Sequence, residues 1–371
     1  MKKILIYMNV KEVIDYLDEF SPLCYAEEFD NVGLLIGDYN QKVNGILVTL
    51  DTTESVIDEA IKSKCNLIIS FHPIIFNDIK SITTNTYVER VIHRAIKNKI
   101  SVAAMHTSLD NSIKGVNSVI CKKLGIKNYR ILIPKEKTIK KLTTYIPSER
   151  VDKLKSEIFK IGAGSLGKYD NCSFSYKGLG TFKGNNKSNP KIGSKQTYTE
   201  IEEICVNITF LKHLEQKVIQ ILKKNHPYEE VAYEISSLDN YNQNIGMGMI
   251  GELDSAMDEK KFLNLLKKKM KSKAIKHSRK LGEKVKKIAV LGGSGSFAIE
   301  NAISSGADAY VTSDLKYHDY FKAENKLLLV DIGHYESEQY TKNLIFNYLT
   351  KKIPNFAIVL SKTNTNPIMY S

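Results

Sequence analysis

Alternating strand-like and helix-like runs at both ends of the chain, with a stretch of different texture between them, predict an α/β protein. Its parallel-sheet body is drawn from both chain ends and carries an inserted ferredoxin-like α+β domain. From the start to about residue 130 the order is GILVTLD, TTESVIDEAIKSK, LIISF, YVERVIHRAIKNK and SVAAM, an alternation that belongs to parallel βαβ units. The strand-like runs are apolar throughout, as strands covered by helices on both faces are. The pattern returns as KKIAVLGG, a helix over SFAIENAISSG, DAYVTSD, LLLVDIGH and a helix over ESEQYTKNLIFNYLTKK. Residues 1–137 and 252–371 therefore read as halves of one body.

The middle, residues 138–251, runs LTTYIP, a helix over SERVDKLKSEIFKIG, loops rich in Gly, Ser and Asn, EICVNITF, a helix over HLEQKVIQILKKN, and VAYEISSL. Strand, helix, strands, helix and strand in that order is the ferredoxin-like sequence of elements. Solenoid-type repeats are absent.

A chain of 371 residues that is 42% hydrophobic can build two or three cored domains. The opening MKKILIYMNV has only a short apolar stretch and no small-residue cleavage pattern, and no run approaches the roughly 20 apolar residues of a membrane span. The expectation is a soluble, cytoplasmic protein with no membrane partner. Cys24, Cys65, Cys121, Cys172 and Cys205 are odd in number and lack CxxC spacing, which fits reduced thiols. The net charge of +13 is concentrated in residues 260–287, with thirteen Lys and Arg against one Glu. Phe262, Leu265, Leu266 and Met270 recur there at helical spacing, so the stretch reads as one amphipathic helix with a solvated basic face. The alternative is a weak anion or nucleic-acid surface. Without interleaved aromatics or a nucleic-acid motif, nucleic acid is not the expected partner.

Three body strands end in a histidine: LIISF before His72, SVAAM before His106 and LLLVDIG before His334. Ligands of parallel α/β sheets collect beyond the carboxyl ends of the strands, so the three point to one rim. Two have a carboxylate four residues on, His106 with Asp110 and His334 with Glu338. If the chain turns helical there, each pair shares a face. Mixed imidazole and carboxylate ligands suit Zn, Fe, Mn or Co.

FDNVGLLIGD at 29–38, SFHPIIF at 70–76, HTSLDN at 106–111, GGSGS at 292–296, TSDLKYHDYF at 312–321, GHYESE at 333–338 and TNTNP at 363–367 carry a resemblance that spans the body in order. The chain closely resembles the Nif-three-like dinuclear-metal hexameric family, whose bacterial members are often labelled GTP cyclohydrolase 1 type 2 homologues. The middle segment resembles the insert of the longer members, related in fold to the PII and CutA-like proteins. The resemblance implies a toroidal homohexamer whose metal sites face an inner cavity. It also implies up to two divalent ions per subunit (Zn, Fe or Mn), held by His72, Asp110, His334 and Glu338, with Asp110 and Glu338 as bridges. His106 fits either direct ligation or the orientation of a ligand or bound water. His318, in a matching motif, is the candidate for proton transfer; it and His106 are the candidate catalytic residues. The family usually has a second histidine directly before the one matching His72. Here that residue is Phe71, so one ion is expected to be weakly held or missing.

Other segments leave alternatives open. Gly292-Gly293-Ser294-Gly295 is a tight turn or a phosphate cradle. His226-Pro227-Tyr228-Glu229-Glu230 is structural or a second ligand site, and Asp30-Asn31 reads as loop-shaping. The functional expectation is a metal-dependent hydrolase of a nucleotide or phosphoester. If the family label holds, the substrate is GTP, with ring opening at the purine C8. The alternative is a non-catalytic metal-binding or metal-sensing scaffold whose insert reports small-molecule state.

Overall fold

The computed structural model describes residues 8–371; residues 1–7 of the opening stretch read above lie outside the described residues. The chain divides into two compact units, residues 1–134 with 243–371, and residues 135–242. Among the described residues no helix is long and apolar enough to cross a membrane.

The first unit holds two sheets. One contains β1 (Gly33–Ile36), β2 (Ile46–Thr49), β3 (Leu67–Ser70), β4 (Ser101–Ala104) and the last strand of the chain, β15 (Ile358–Leu360), in the order β1-β4-β3-β2-β15. Its strands run parallel except β1. The other contains β5 (Lys127–Pro134), β10 (Gly246–Asp258), β11 (Lys276–His277), β12 (Lys284–Ser294), β13 (Ala309–Ser313) and β14 (Leu328–Asp331), in the order β11-β14-β13-β12-β10-β5. Its parallel neighbours are β12 with β13 and β13 with β14; the β10–β12, β10–β5 and β11–β14 pairs are antiparallel. The body is thus two mixed sheets, where the sequence pattern suggested one parallel-sheet body. The reason is local: β5 leaves this unit where β10 re-enters it, and segments that leave and return side by side pair antiparallel. Met249 pairs with both Ile131 and Val290, so residues 243–251, read from sequence as insert, pack with the body.

One apolar core lies between the two sheets. It joins Ile69, Phe71 and Met105 to Val290, Val311 and Val330 through the helices Val10–Phe20, Val116–Leu124, Glu259–Met270 and Thr341–Lys352. The outer face of the first sheet is covered by Glu54–Lys62 and Tyr87–Lys97, whose N-caps Thr53 and Thr86 accept from Val56 and Glu89. Continuous apolar strands are what this double covering requires. The basic stretch 260–287 is not one helix. A helix over Glu259–Met270 buries Phe262, Leu263, Leu266 and Met270 in the core, and the chain then turns into β11 and β12. Lys271 ends the helix in a left-handed conformation, which the apolar spacing did not disclose.

In the second unit β6 (Ile139–Ile146), the helix Val151–Lys160, β7 (Phe174–Lys183), β8 (Tyr198–Leu211), the helix Glu215–Asn225 and β9 (Tyr233–Leu238) follow one another. The sheet is antiparallel, in the order β7-β8-β6-β9. Both helices pack on the face carrying Leu142, Ile146, Val206 and Ile208.

Candidate metal centre

The first unit brings the carboxyl ends of β3, β4 and β14 to one place. His72 stands two residues beyond β3, its backbone N–H donating to the Leu50 carbonyl at 2.9 Å. After β4 the chain enters a short helix, His106–Asp110, and after β14 a matching one, His334–Glu338. Gly333, at φ +92°, makes the turn into the second, a conformation glycine adopts freely. His106 makes the first turn itself at φ +25°, strained backbone of the kind that costs on the order of 1–3 kcal/mol and clusters at functional sites.

His72 Nε2 lies 3.0 Å and His334 Nε2 3.1 Å from Glu338 Oε2, and the two imidazole nitrogens are 3.4 Å apart. The three ligand atoms share a space under 4.8 Å across. Among the described residues Glu338 Oε2 is buried with no aligned hydrogen-bond donor, and the two nitrogens converge on it as candidate co-ligands. The opposite nitrogen of each imidazole is held by an aspartate: His72 Nδ1 by Asp51 at 2.7 Å, His334 Nδ1 by Asp314 at 2.6 Å and His106 Nδ1 by Asp30 at 2.7 Å. Metal-ligating histidines carry such a partner, which sets tautomer and ring orientation.

The charges are strongly coupled. Burial works against the His72 imidazolium, but Glu338 and Asp51 outweigh it and hold it up at about 10. Burial is likewise outweighed at His334, where Asp314 and Glu338 raise it to about 11. Glu338, though buried, is held well below the usual carboxylate range by the two imidazoles. Asp110 goes the other way: burial, then the Glu338 charge, push its carboxyl well above its ordinary value. Asp110 lies outside the three-atom group, yet its Oδ1 is buried without a hydrogen-bond partner among the described residues. Two orphaned carboxylate oxygens beside two oriented imidazoles make a donor set that a divalent cation fits.

Of the residues singled out from sequence, His72, His334 and Glu338 converge and Asp110 faces their charge. His106 packs edge-on beside them, its ring 5.3 Å from His72, 5.6 Å from Phe71 and 6.1 Å from Phe76. Phe71 is fully buried and fills core space instead of offering a ligand. His318 is exposed, and its ring contacts are Tyr317 and Phe321. The Gly292 and Gly293 amides are spent on Asn117 Oδ1 and Ser337 Oγ, each at 2.9 Å, which leaves neither for a phosphate. A Cβ on Gly293, at φ +72°, would overlap Glu338 Oε1, so this turn makes room for the carboxylate. Both nitrogens of His226 are engaged within the second unit, by the Tyr145 carbonyl and the Tyr228 N–H. Sequence reasoning missed the supporting aspartates. Asp51 and Asp314 follow β2 and β13, each beside a strand that is followed by a histidine, a signal visible in VTLD and VTSD. Asp30, read as loop-shaping, accepts from His106 and from Thr107 N and Oγ1. Thr365, in the terminal TNTNP segment, donates to Asp51.

A family model, DUF34/NIF3 (NGG1p interacting factor 3), matches residues 8–367. A Bacillus subtilis protein named GTP cyclohydrolase 1 type 2 homolog is 37% identical over 98% of this chain and 99% of its own. A protein of the same name from Halalkalibacterium halodurans is 35% identical over 98% and 99%. The crystal structure of a Bacillus cereus protein related to NIF3 superposes with a TM-score of 0.84 at 35% identity, covering 98% of this chain and 99% of that one. With the match spanning the histidine-bearing strand ends of both sheets, this chain belongs to the DUF34/NIF3 family.

Proposed function

We propose that this protein is a metal-dependent hydrolase acting on a nucleotide or phosphoester. One observation carries the proposal: His72 Nε2, His334 Nε2 and Glu338 Oε2 converge while Asp51 and Asp314 hold the far nitrogens. A bound divalent ion would supply Lewis acidity and a water of lowered pKa. The chain's own groups do the rest. With the ion bound in place of the Nε2 protons that Glu338 otherwise favours, Asp51 and Asp314 would keep the proton on Nδ1 and leave the Nε2 lone pair for the ion, and Asp110 is the proposed further ligand. Asp30 fixes His106, whose Nε2, without a hydrogen-bond partner among the described residues, would orient a water or take a proton, and His318 is the proposed carrier of protons to solvent. Phe29 and Phe76 are exposed, 6.4 Å apart, with Phe76 beside His106. They offer a stacking surface for a planar ring, which supports a nucleotide, and the names of the relatives point to GTP.

The resemblance further supports a cytoplasmic homohexamer, and the strand order of residues 135–242 supports a ferredoxin-like module of the PII or CutA kind. Phe71 in the expected histidine position favours the rival reading, a metal-binding scaffold without turnover. Purified protein loaded with Fe, Mn or Zn and screened against nucleotides and phosphoesters, with Asp110→Ala as control, separates the two. Turnover lost in the control supports the hydrolase; full metal content with no turnover on any substrate supports the scaffold.

A further inference from the structure

The segment after β15, residues 361–371, runs past the metal centre and is tied down by polar bonds. Ile368, Met369 and Tyr370 stay exposed, so apolar burial, the usual anchor of a chain end, contributes little there. The side chains from Ser361 to Asn366 are all polar, and they reach three carboxylates. At Glu59 the Ser361 and Thr363 hydroxyls each donate at 2.6 Å and the Lys362 N–H at 2.8 Å. Thr365 then donates to Asp51 Oδ2, and Asn366 Nδ2 donates to Glu336 Oε1 at 3.3 Å.

The last two contacts differ in kind from the first. Glu59 lies on the helix Glu54–Lys62, and among the described residues no hydrogen bond joins it to a candidate ligand. Asp51 holds His72 through its other oxygen at 2.7 Å. Glu336 sits in the helix His334–Glu338, between the two candidate ligands that open and close it. His72 follows a strand of one sheet and His334 a strand of the other, and no strand pairing joins the two sheets. Thr365 and Asn366, adjacent in the chain, therefore tie both sides of the donor group to one stretch of backbone. That stretch is stiff. Asn364 Oδ1 accepts from the Asn366 N–H at 3.1 Å and Asn366 Oδ1 from the Ile368 N–H at 3.0 Å, which are local side-chain turns. Pro367 fixes its own φ and restricts Asn366 to extended backbone. With Oδ1 engaged by Ile368, the Asn366 amide presents Nδ2 to Glu336, whose Oε2 is buried without a partner among the described residues.

We propose that Thr365 and Asn366 are positioning residues of the metal centre, bracing the His72 side against the helix His334–Glu338 and so setting the spacing at which the three donor atoms converge. The proposal rests on the metal-centre reading and is independent of any hydrolase activity.

The test measures the Zn²⁺ affinity of the full chain by competition with a chromogenic chelator. Thr365→Val removes the hydroxyl and should weaken Zn²⁺ binding about 3–10-fold, less than the loss of Asp51 itself. Thr365→Ser should restore the wild-type affinity. Asn366→Ala should weaken binding from the other side by a similar factor, and it keeps the test decisive if Thr365→Val folds poorly. Thr363→Val loosens the segment at Glu59 alone and should leave the affinity within about twofold. In an Asp51→Asn background Thr365→Val should add less than about twofold, because residues acting through one another are not additive. Wild-type affinity in both Thr365→Val and Asn366→Ala would overturn the brace alone. So would a full Thr365→Val effect in the Asp51→Asn background, or an equal effect of Thr363→Val, which would make the segment a general clasp. A wild-type chain that binds no Zn²⁺ below about 10 μM would remove the metal centre, and the brace with it.

Discussion

The rims of the two body sheets use the same local design and reach different results. Beyond β4 and beyond β14 the chain makes the same short helix, histidine first and acid last: His106–Asp110 and His334–Glu338. Glu338 reaches His72 across from the other sheet and joins both imidazoles, whereas Asp110 remains buried with an orphaned oxygen. Two things separate them. Glutamate has one more methylene, and Gly292 and Gly293 leave the space beside it empty. One pattern in sequence thus produces three converging donor atoms that could hold a metal on one rim and, among the described residues, an unsatisfied acid on the other.

Removing the shared atom should break the comparison most severely. Glu338→Ala takes away the oxygen on which both imidazoles converge, and metal content by elemental analysis should fall more than about 100-fold in affinity terms. Unchanged content would remove Glu338 from the ligand set. Loosening one rim at a time comes next. Asp51→Ala frees the His72 ring and Asp314→Ala the His334 ring, and each should weaken metal binding about 10–100-fold. If Asp51→Ala alone has an effect, the centre is owned by the first sheet and the symmetry is superficial.

Phe71→His should raise the bound metal per chain towards two by adding a donor beside His72. A wild-type protein that already holds two ions after dialysis would show that another residue serves in its place. The smallest effect is expected at Asp110. Its folded pKa lies above the ordinary 3.8, so the folded state binds more protons than the unfolded one, and metal-free stability falls as pH rises past that value. Asp110→Asn removes that slope and should stabilise the metal-free protein at neutral pH by about 1–3 kcal/mol, measured by denaturant titration, while lowering its metal content. A variant less stable at every pH would mean that the carboxylate has a partner.

Much of the body was legible along the chain. GILVTL, LIISF, SVAAM, DAYVTS and LLLVD announce strands because burial on both faces requires apolar residues at every position, and the helices between them show their period and their Thr caps. The strand-terminal histidines and the i, i+4 acids were legible too, since both spacings are short. The sequence alone determined these local elements, and with them the family and the residue types at the rim. It did not determine which strands share a sheet. β15 from the far end adds to β2, and β10 returns beside β5, so the body became two mixed sheets, because pairing depends on where distant segments meet. The support of His72 by Asp51 and Thr365 was likewise settled in three dimensions, as was the turn that ends the basic helix at Lys271. Only the tertiary structure decided that Glu338 joins His72 while Asp110 does not. Periodicity records which face a residue occupies, and a ligand set depends on distances between faces that no local pattern encodes.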